Sequence, residues 1–418
     1  MSLKDFSVGT KLDNITFYSL CFFVLFFPFS RALESLYSFY LPLLVVINFG
    51  FKGMFEKIKC TPITWYLIGF VGYMTLTLLW THDIELADNL AKLYFLLSLT
   101  LSIAMLTKPE WVKTLLLLFV FSLSISSMIS LGHYFQWWQI KNKPPINASP
   151  LMFHIHYSIF MAIAALISLH LLISTKGSLT RKLGLLLLFV LFVTTLFLSD
   201  GRTGQFSFLA ALCFMIYRNF RHNIKVLLGL ITFVFILAYG AYSFVPRFET
   251  RINAAITDIQ KAEKGFFDTS LGIRFAYWLL AKEIVLKEPL LGVGFGDYKA
   301  AAAEVLSKND FGIEKSAQLF LVDKHFHNQY LMALVQGGIL GLGLLVLLLI
   351  NFYRLPIANQ NAKELSLVLI SVYVVGFMTE PLWLLQNPVC LFALIAGTSI
   401  ALSTQKCTPT KATNKPHK

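Results

Sequence analysis

The sequence predicts an all-α polytopic membrane protein, with about 12 transmembrane helices and one large helical loop on the outer side of the membrane. The first reason is composition, because 56% of the 418 residues are hydrophobic, 14% are charged and the mean hydropathy is +0.68. The second is that apolar runs of about 16 to 25 residues recur, each long enough to cross roughly 30 Å of hydrocarbon as a helix. The third is a long polar stretch between the ninth run and the tenth. Together these features exclude a soluble globular domain.

The apolar runs define the predicted membrane helices and divide the chain. The helices are expected over residues 16–30, 36–51, 62–80, 93–107, 112–135, 151–174, 183–199, 204–217, 226–245, 328–350, 365–384 and 388–404. The first nine lie in residues 1–245 and the last three in residues 328–405, with the polar loop at 246–327 between them. A basic tail is predicted at residues 406–418.

The distribution of basic residues predicts which side of the membrane each loop faces. With the N-terminus placed in the cytoplasm, 19 Lys and Arg residues fall on that side and 5 fall in the short loops on the opposite side. Cytoplasmic loops carry an excess of Lys and Arg, so both termini are expected to be cytoplasmic. The remaining 11 basic residues lie in the polar loop together with 11 acidic ones. This neutral balance argues against a nucleic-acid surface.

The polar loop is expected to form a helical subdomain on the outer membrane face. Apolar residues recur at helical spacing in residues 248–259. A second helix is predicted over residues 271–287 with Ser270 as its N-cap, and a third helix over residues 298–306. No strand precedes the glycines of residues 292–296, so we interpret them as a tight turn and not as a dinucleotide-binding loop.

Arg202 is a candidate anion-binding residue. It lies in the hairpin Ser199-Asp-Gly-Arg-Thr-Gly204, between two predicted membrane helices on the outer side. A guanidinium group suits phosphate oxygens, and the flanking glycines would allow a bulky anion close to the backbone. The alternative is a membrane-end arginine that reaches lipid headgroups or pairs with Asp200.

Arg274 is a second candidate, near the start of the predicted helix 271–287. The N–H groups at a helix N-terminus favour an anionic ligand. A solvated helix often carries an arginine, so Arg274 alone does not predict a site. Two outer arginines together with a histidine on the same side form a stronger set.

His327 is a candidate general base where the polar loop meets the tenth membrane helix, in Lys324-His-Phe-His-Asn-Gln-Tyr330. A neutral imidazole positioned there by packed helices can take a proton from an attacking hydroxyl. Asn328 and His325 are candidate substrate-binding residues beside it. The two histidines also raise the possibility of a metal site, but no Cys or carboxylate cluster at metal-ligand spacing accompanies them, so we expect no metal. A hydrogen-bonded interfacial histidine is the other alternative.

Glu380 is a candidate substrate-binding residue near the outer end of the eleventh helix, followed by Pro381. A carboxylate is costly in hydrocarbon, which makes Glu380 a candidate partner for His327 or for one of the arginines. Simple exposure at the membrane interface is the alternative.

Two further sets of residues have structural interpretations. Small residues in the tenth helix are expected to let neighbouring membrane helices approach closely; they are Gly337, Gly338, Gly341 and Gly343. His154 and His156, near the outer end of the sixth helix, are interpreted with the preceding tryptophans as an interfacial aromatic belt, with a role in substrate binding as the alternative.

The segment around His327 resembles the O-antigen ligase and polymerase superfamily, which are bacterial membrane glycosyltransferases with many helices and one large periplasmic loop. The similarity is to the ligase pattern at the end of that loop. The pattern appears here as His327-Asn328, followed after nine residues by Gly338-Ile-Leu-Gly341 and then by Leu344.

Both arginine segments resemble the same superfamily. Arg202 is similar to the family's arginine that is followed four positions later by leucine, although Phe206 replaces the leucine here. Arg274-Phe-Ala-Tyr-Trp278 and the downstream turn at residues 292–296 resemble a part of the periplasmic loop that is characteristic of the family.

The resemblance implies a GT-C-like fold and transfer of an O-antigen glycan from undecaprenyl diphosphate to a hydroxyl of lipid A-core. The reaction would occur at the periplasmic face of the bacterial inner membrane, without cofactor, metal or nucleotide sugar. The partners would be the lipid-linked donor, the lipid A-core acceptor and membrane lipids. Arg202 and Arg274 would hold the diphosphate, and His327 would deprotonate the acceptor for inverting attack at the anomeric carbon.

Two other functions stay open at this point. An O-antigen polymerase would use the same donor with a lipid-linked glycan as acceptor, and the pattern after His327 favours the ligase. A transporter or flippase would use the outer arginines to bind an anionic lipid-linked substrate. Against the transporter, the sequence has no obvious inverted repeat of interrupted helices, and few ionisable residues fall at mid-membrane depth.

Overall fold

The computed structural model describes residues 11–84, 89–141, 148–174, 176–244, 246–269, 271–309 and 311–403. Every regular element in these ranges is a helix, and β pairing there is limited to one isolated bridge between Ile357 and Ser403. The all-α polytopic fold class is therefore confirmed. The predicted basic tail at 406–418 and the predicted N-cap Ser270 lie outside the described residues.

A helix lies at each position where a membrane helix was predicted, with its ends shifted by several residues. Those before the polar loop are α1 Lys11–Phe26, α2 Arg31–Lys59, α3 Pro62–Leu76, α4 Leu90–Leu106, α5 Pro109–Tyr134, α6 His154–Ser174, α7 Leu179–Leu198, α8 Arg202–Phe220 and α9 Ile224–Phe244. Those after the loop are α14 Gln329–Tyr353, α15 Gln360–Gly376 and α16 Gln386–Ala401. Short 3-10 helices lie at Phe27–Phe29, Thr77–Leu79 and Leu382–Leu384.

Length and composition qualify seven of the described helices to cross a membrane, namely α1 with its 3-10 extension, α2, α3 with its extension, α5, α6, α7 and α14. α4 and α16 are apolar but shorter. The number of spans predicted from the sequence therefore remains a prediction.

The polar loop contains one more helix than predicted. Its described helices are α10 Pro246–Glu263, α11 Gly272–Lys287, α12 Tyr298–Lys308 and α13 Lys315–Asp323. α13 has only 9 residues, too few for a clear helical period in the sequence. It nevertheless matters for the site, because it brings Phe320 against His327.

The predicted eleventh helix is wrong at its C-terminal end. α15 ends at Gly376, and Glu380 lies in the turn before the 3-10 helix Leu382–Leu384. Pro381 explains the break, because it lacks an N–H donor and disfavours helical backbone in the residue before it. Glu380 is thus presented by a turn and not by a helix face.

α6 and α16 form the centre of the bundle. Residues 156–168 of α6 and 387–400 of α16 are buried on every face. α16 packs along α4, α6 packs on α7 and α8, and α15 packs on α8. This arrangement gathers the N-termini of α2, α6, α8, α14 and α16 at one end of the bundle, which we call the outer end because charge counting predicts that it faces away from the cytoplasm.

α14 is broken at Gly338, where the backbone adopts φ +62°. The break releases backbone groups, and the segment after α11 bonds to them. The backbone N–H of Val293 donates to the Val335 carbonyl at 3.0 Å, and that of Gly294 donates to the Gln336 carbonyl at 3.1 Å. In the opposite direction, the N–H of Ile339 donates to the Pro289 carbonyl at 2.9 Å. Irregular backbone in a membrane helix is tolerated where protein satisfies it in this way.

Glycine is required on both sides of this contact. A Cβ at Gly338 would lie 2.2 Å from the Leu290 carbonyl oxygen, and a Cβ at Gly292 would lie 2.5 Å from the Gly338 nitrogen. The interpretation of the glycines as helix-packing residues is therefore wrong for Gly338, which meets the outer loop. It holds for Gly337 and Gly341, which face Tyr73 and Met74 of α3; Gly343 has no such neighbour within 4 Å.

Asp297 joins the outer loop to the short segment after α3. Its carboxylate accepts the backbone N–H groups of His82 at 2.9 and 3.0 Å and of Asp83 at 2.8 Å, and it bonds the His82 ring at 2.8 Å. Burial alone would raise the pKa of Asp297, but these donors outweigh it and hold the pKa below its ordinary value. The loop is thus attached to the bundle at two places, through Asp297 and through the break in α14.

Candidate active site

His327 and Glu380 are bonded to each other at the outer end of the bundle. Nδ1 of His327 lies 2.9 Å from Oε2 of Glu380, and Nε2 of His325 lies 3.2 Å from Oε1 of the same carboxylate. The Glu380 side chain is only 3% exposed, so the two imidazoles are its main contact with the polar surroundings. Of the partners that the sequence offered for Glu380, His327 or one of the arginines, the structure shows the contact with His327; the substrate-binding role of Glu380 stays a prediction.

The protonation of His325 follows from its neighbours. Burial lowers the pKa of His325 to about 4, so the ring is neutral near neutral pH. Its Nδ1 accepts the backbone N–H of His327 at 3.3 Å, which leaves Nε2–H to donate to Glu380. His325 therefore supports Glu380 as a neutral donor.

The bond to Glu380 also selects a tautomer for His327. An ionised carboxylate accepts from Nδ1–H, and a neutral imidazole then has its lone pair on Nε2. A histidine in this state can take a proton at Nε2 while Glu380 stabilises the resulting imidazolium. The arrangement is a His–Glu pair suited to general-base chemistry.

The ring and backbone of His327 are held tightly. Phe320 of α13 stacks on the imidazole at 6.1 Å with 6° between the planes, and Tyr277 of α11 lies 5.9 Å away. The backbone of His327 has φ +46°, a conformation that non-glycine residues seldom adopt and that is found most often at functional sites. The outer loop thus packs against the His327 imidazole, and the turn with Glu380 sets the orientation of the same ring.

Arg274 lies in the electrostatic neighbourhood of both Glu380 and Arg202. Burial lowers the pKa of the Arg274 guanidinium, the Glu380 carboxylate opposes that shift, and the charge of Arg202 adds to it. The Arg274 guanidinium nevertheless stays charged, because an arginine side chain is not deprotonated in proteins. Arg202 is exposed and Arg274 is half-buried, with a buried Nε that has no hydrogen-bond partner in the described part of the chain. A buried donor without a partner costs about 1–3 kcal/mol, so this group is suited to a ligand's acceptor.

Arg202 is the first residue of α8, and its neighbours position it. Gly201 and Gly204 pack against α6, since a Cβ on either would lie 2.3 Å from Ser158. The expected role of these glycines in admitting an anion is therefore wrong, because helix α6 occupies that space. Thr379 donates to Thr203 at 3.2 Å and so connects the start of α8 to the turn that carries Glu380.

Asn328 is the N-cap of α14. Its Oδ1 accepts the N–H groups of Tyr330 and Leu331 at 2.9 and 3.0 Å, and its Nδ2 donates to the Met378 carbonyl at 3.1 Å. The residue is 5% exposed. These bonds favour a positioning role, next to His327, over the direct substrate contact expected from the sequence.

The histidines and Glu380 also have the spacing of a metal site. One ligand atom from each of His325, His327 and Glu380 lies within 4.8 Å of the others. The sequence argument against a metal was that no carboxylate lies close to the two histidines in the chain. That argument was wrong, because Glu380 supplies a carboxylate from a turn 53 residues away. The guanidinium of Arg274, which interacts electrostatically with Glu380, disfavours an additional cation there.

A buried polar network adjoins this site and was not expected from the sequence. His156, 4% exposed, bonds to Asn387 at 3.0 Å and is not part of an interfacial belt. Asn387 also bonds Arg31 and Glu34 of α2. The residues come from three helices far apart in the chain, and no short motif connects them.

A comparison with protein families gives a match over the part of the chain that carries Arg202, Arg274 and His327. Residues 187–346 match the family model described as O-Antigen ligase. The match supports an O-antigen ligase or polymerase type of membrane glycosyltransferase and does not separate the two types.

A curated relative also aligns with the chain. It is an uncharacterized protein of Haemophilus influenzae, 30% identical over 185 residues, which are 42% of this chain and 44% of the relative. The chain thus spans less than half the length of this relative. The match to residues 187–346 confirms that this part of the chain resembles the O-antigen ligase superfamily.

Proposed function

We propose that the protein transfers an O-antigen glycan from undecaprenyl diphosphate to a hydroxyl of lipid A-core at the periplasmic face of the inner membrane. The observation that carries this proposal is the His327–Glu380 pair, with Arg274 in the electrostatic reach of Glu380 and Arg202 in that of Arg274. Glycan transfer from a lipid diphosphate requires a base for the incoming hydroxyl and positive charge for the departing diphosphate. These residues supply both.

The reaction is a single inverting displacement. Nε2 of His327 takes the proton of the acceptor hydroxyl as its oxygen attacks the anomeric carbon. The bond from that carbon to the diphosphate oxygen breaks, and its electron pair leaves with undecaprenyl diphosphate. Glu380 stabilises the imidazolium, and the guanidinium groups of Arg202 and Arg274 stabilise the charge that accumulates on the leaving group. No metal ion is needed in this scheme, because the arginines carry the required charge.

Reconstitution tests the proposal. Purified protein in vesicles without an ion gradient should convert lipid-linked glycan and rough lipopolysaccharide into glycan-bearing lipopolysaccharide. Movement of the lipid-linked glycan across the bilayer without any glycan product would instead indicate a transporter or flippase. The pattern around His327 favours the ligase, and gene deletion separates ligase from polymerase: loss of all O-antigen attachment is expected for a ligase, and core with a single repeat for a polymerase.

A further inference from the structure

A cavity of about 490 Å³ with both polar and apolar walls lies at the outer end of the bundle, outside the pair formed by His327 and Glu380. Its walls come from the start of α2, the segment before α6 and the first turn of α16. Arg31, His154 and Asn387 supply polar groups, and Phe29 and Phe153 supply aromatic faces of the kind on which sugar rings pack. Within the described residues no Asp or Glu lines it, so its only full charge is positive.

The polar wall of this cavity is built and not incidental. Asn387 is 4% exposed, and its Oδ1 accepts from Nε of Arg31 at 3.3 Å and from Nδ1 of His156 at 3.0 Å. Its Nδ2 donates to Glu34, which lies behind it and is fully buried. Polar groups buried in an apolar helix bundle are costly and mark functional sites by default. Here they orient an exposed guanidinium, that of Arg31, at the cavity wall.

The cavity adjoins the candidate active site. His154 lines it, and a Cβ on Gly201, the residue before Arg202, would lie 2.4 Å from the His154 carbonyl oxygen. Glu380 acts electrostatically on both His154 and His156. A molecule in the cavity would therefore lie beside the groups that carry out the proposed transfer.

An exposed aromatic strip adjoins the cavity. Phe22, Phe26 and Phe29 are exposed along α1 and its 3-10 extension, and Phe29 lines the cavity itself. An apolar strip that leads to a positively charged polar cavity fits an amphiphile with acyl chains and an anionic sugar headgroup.

We propose that this cavity binds a phosphate substituent on a sugar of the acceptor glycolipid, with Arg31 as its counter-charge. The inference rests on the proposed glycan transfer and adds the acceptor subsite to it. In the proposed transfer the donor's diphosphate is assigned to Arg202 and Arg274, so we assign the separate cation in this adjoining cavity, Arg31, to the second substrate. Arg31 is then a specificity-determining residue and takes no part in the bond exchange.

The test compares Arg31→Gln with Arg31→Lys and with Lys287→Gln, which removes an exposed basic residue that pairs with Glu304 outside the cavity. The probes are rough lipopolysaccharide and the same material after chemical dephosphorylation. For Arg31→Gln we expect the KM for untreated rough lipopolysaccharide to rise about tenfold, which corresponds to the loss of one charge-assisted hydrogen bond. The kcat and the donor KM should stay within about twofold, Arg31→Lys should recover most of the loss, and Lys287→Gln should have no effect.

The remaining outcomes overturn the subsite. They are an unchanged acceptor KM, an equal rise with both probes, or a rise in the donor KM in place of the acceptor KM. Direct binding of the two probes to the purified protein keeps the subsite testable if the wild type transfers no glycan. In that case the proposed function fails, while a phosphate-dependent affinity that Arg31→Gln removes would still support the subsite, and equal affinities would reject it.

Discussion

Nδ1 of His327 and Oε2 of Glu380 lie 2.9 Å apart although 53 residues separate them in the chain. The contact exists because α14 and α15 present their outer ends to each other. Gln329 at the start of α14 donates its N–H to the Phe377 carbonyl at 2.8 Å, and its side chain accepts from Trp383 at 2.9 Å. The turn with Glu380 is thus bracketed by two bonds to the helix that follows His327, which fixes the carboxylate against the ring.

Glu380→Gln tests what this contact does. The amide can still accept a hydrogen bond but cannot stabilise an imidazolium by charge, so we expect kcat to fall about 100-fold or more with little change in the KM of either substrate. Steady-state glycan transfer by the purified protein gives both constants. Glu304→Gln, on the exposed surface of α12, is the matched control and should behave as the wild type. A kcat for Glu380→Gln within a few-fold of wild type would rule out the pair as catalytic.

The break in α14 is expected to be essential for attachment of the outer loop. Gly338→Ala places a Cβ against the Leu290 carbonyl and strains a backbone at φ +62°, so it should destabilise the folded protein by about 2 kcal/mol. Gly343→Ala, in the same helix with no neighbour within 4 Å of the added carbon, is the control. Thermal unfolding and limited proteolysis of the outer loop measure the difference. Equal stability of the two variants would show that residues 289–294 do not dock at the break.

Asp297 gives the attachment of the outer loop a pH dependence. The pKa of Asp297 is lower in the folded protein than its ordinary pKa of 3.8. The bonds of its carboxylate therefore contribute their full stabilisation above pH 3.8, and this contribution is lost as the pH falls through the lower pKa of the folded state. Asp297→Asn should reduce stability by about 1–2 kcal/mol near neutral pH. The difference in stability between Asp297→Asn and the wild type should shrink as the pH drops below the ordinary pKa of the carboxyl group. Melting temperatures across pH check this, and a difference that does not depend on pH would mean that the charge of Asp297 has no role.

Metal chelation separates two uses of the same three side chains. In the proposed mechanism His325, His327 and Glu380 bond to one another, so incubation of the purified protein with EDTA should leave the transfer rate unchanged. Added Zn²⁺ would compete with the proton on His327 and should inhibit. If EDTA abolishes transfer and a divalent ion restores it, the general-base assignment of His327 is wrong and the cluster is a catalytic metal site.

Local pattern was sufficient to predict much of the fold. Runs of apolar residues long enough to span a bilayer gave the membrane helices, and the helical spacing in residues 271–287 placed Arg274 in the first turns of α11. The transition from polar loop to apolar helix likewise placed His327 at the outer end of α14. These predictions succeeded because each depends only on residues close together in the chain.

The remainder depended on contacts between distant segments. A glycine is small whether its neighbour is a ligand, a membrane helix or a loop, so the sequence could not assign Gly204 to α6 or Gly338 to the outer loop. The sequence could name Glu380 as a possible partner of His327. It could not show that Glu380 also bonds His325 at the same time. Asn387 gave no signal, because its partners Arg31 and His156 lie more than two hundred residues away in the chain.

The most direct test of the central claim is the initial rate of glycan transfer by purified protein from lipid-linked donor to rough lipopolysaccharide. The claim is that Arg202, Arg274 and His327 act in one reaction. Each single alanine variant should therefore lose at least about 100-fold in rate, while its melting temperature stays near that of the wild type. A folded variant of any of the three that transfers glycan at the wild-type rate would contradict the account.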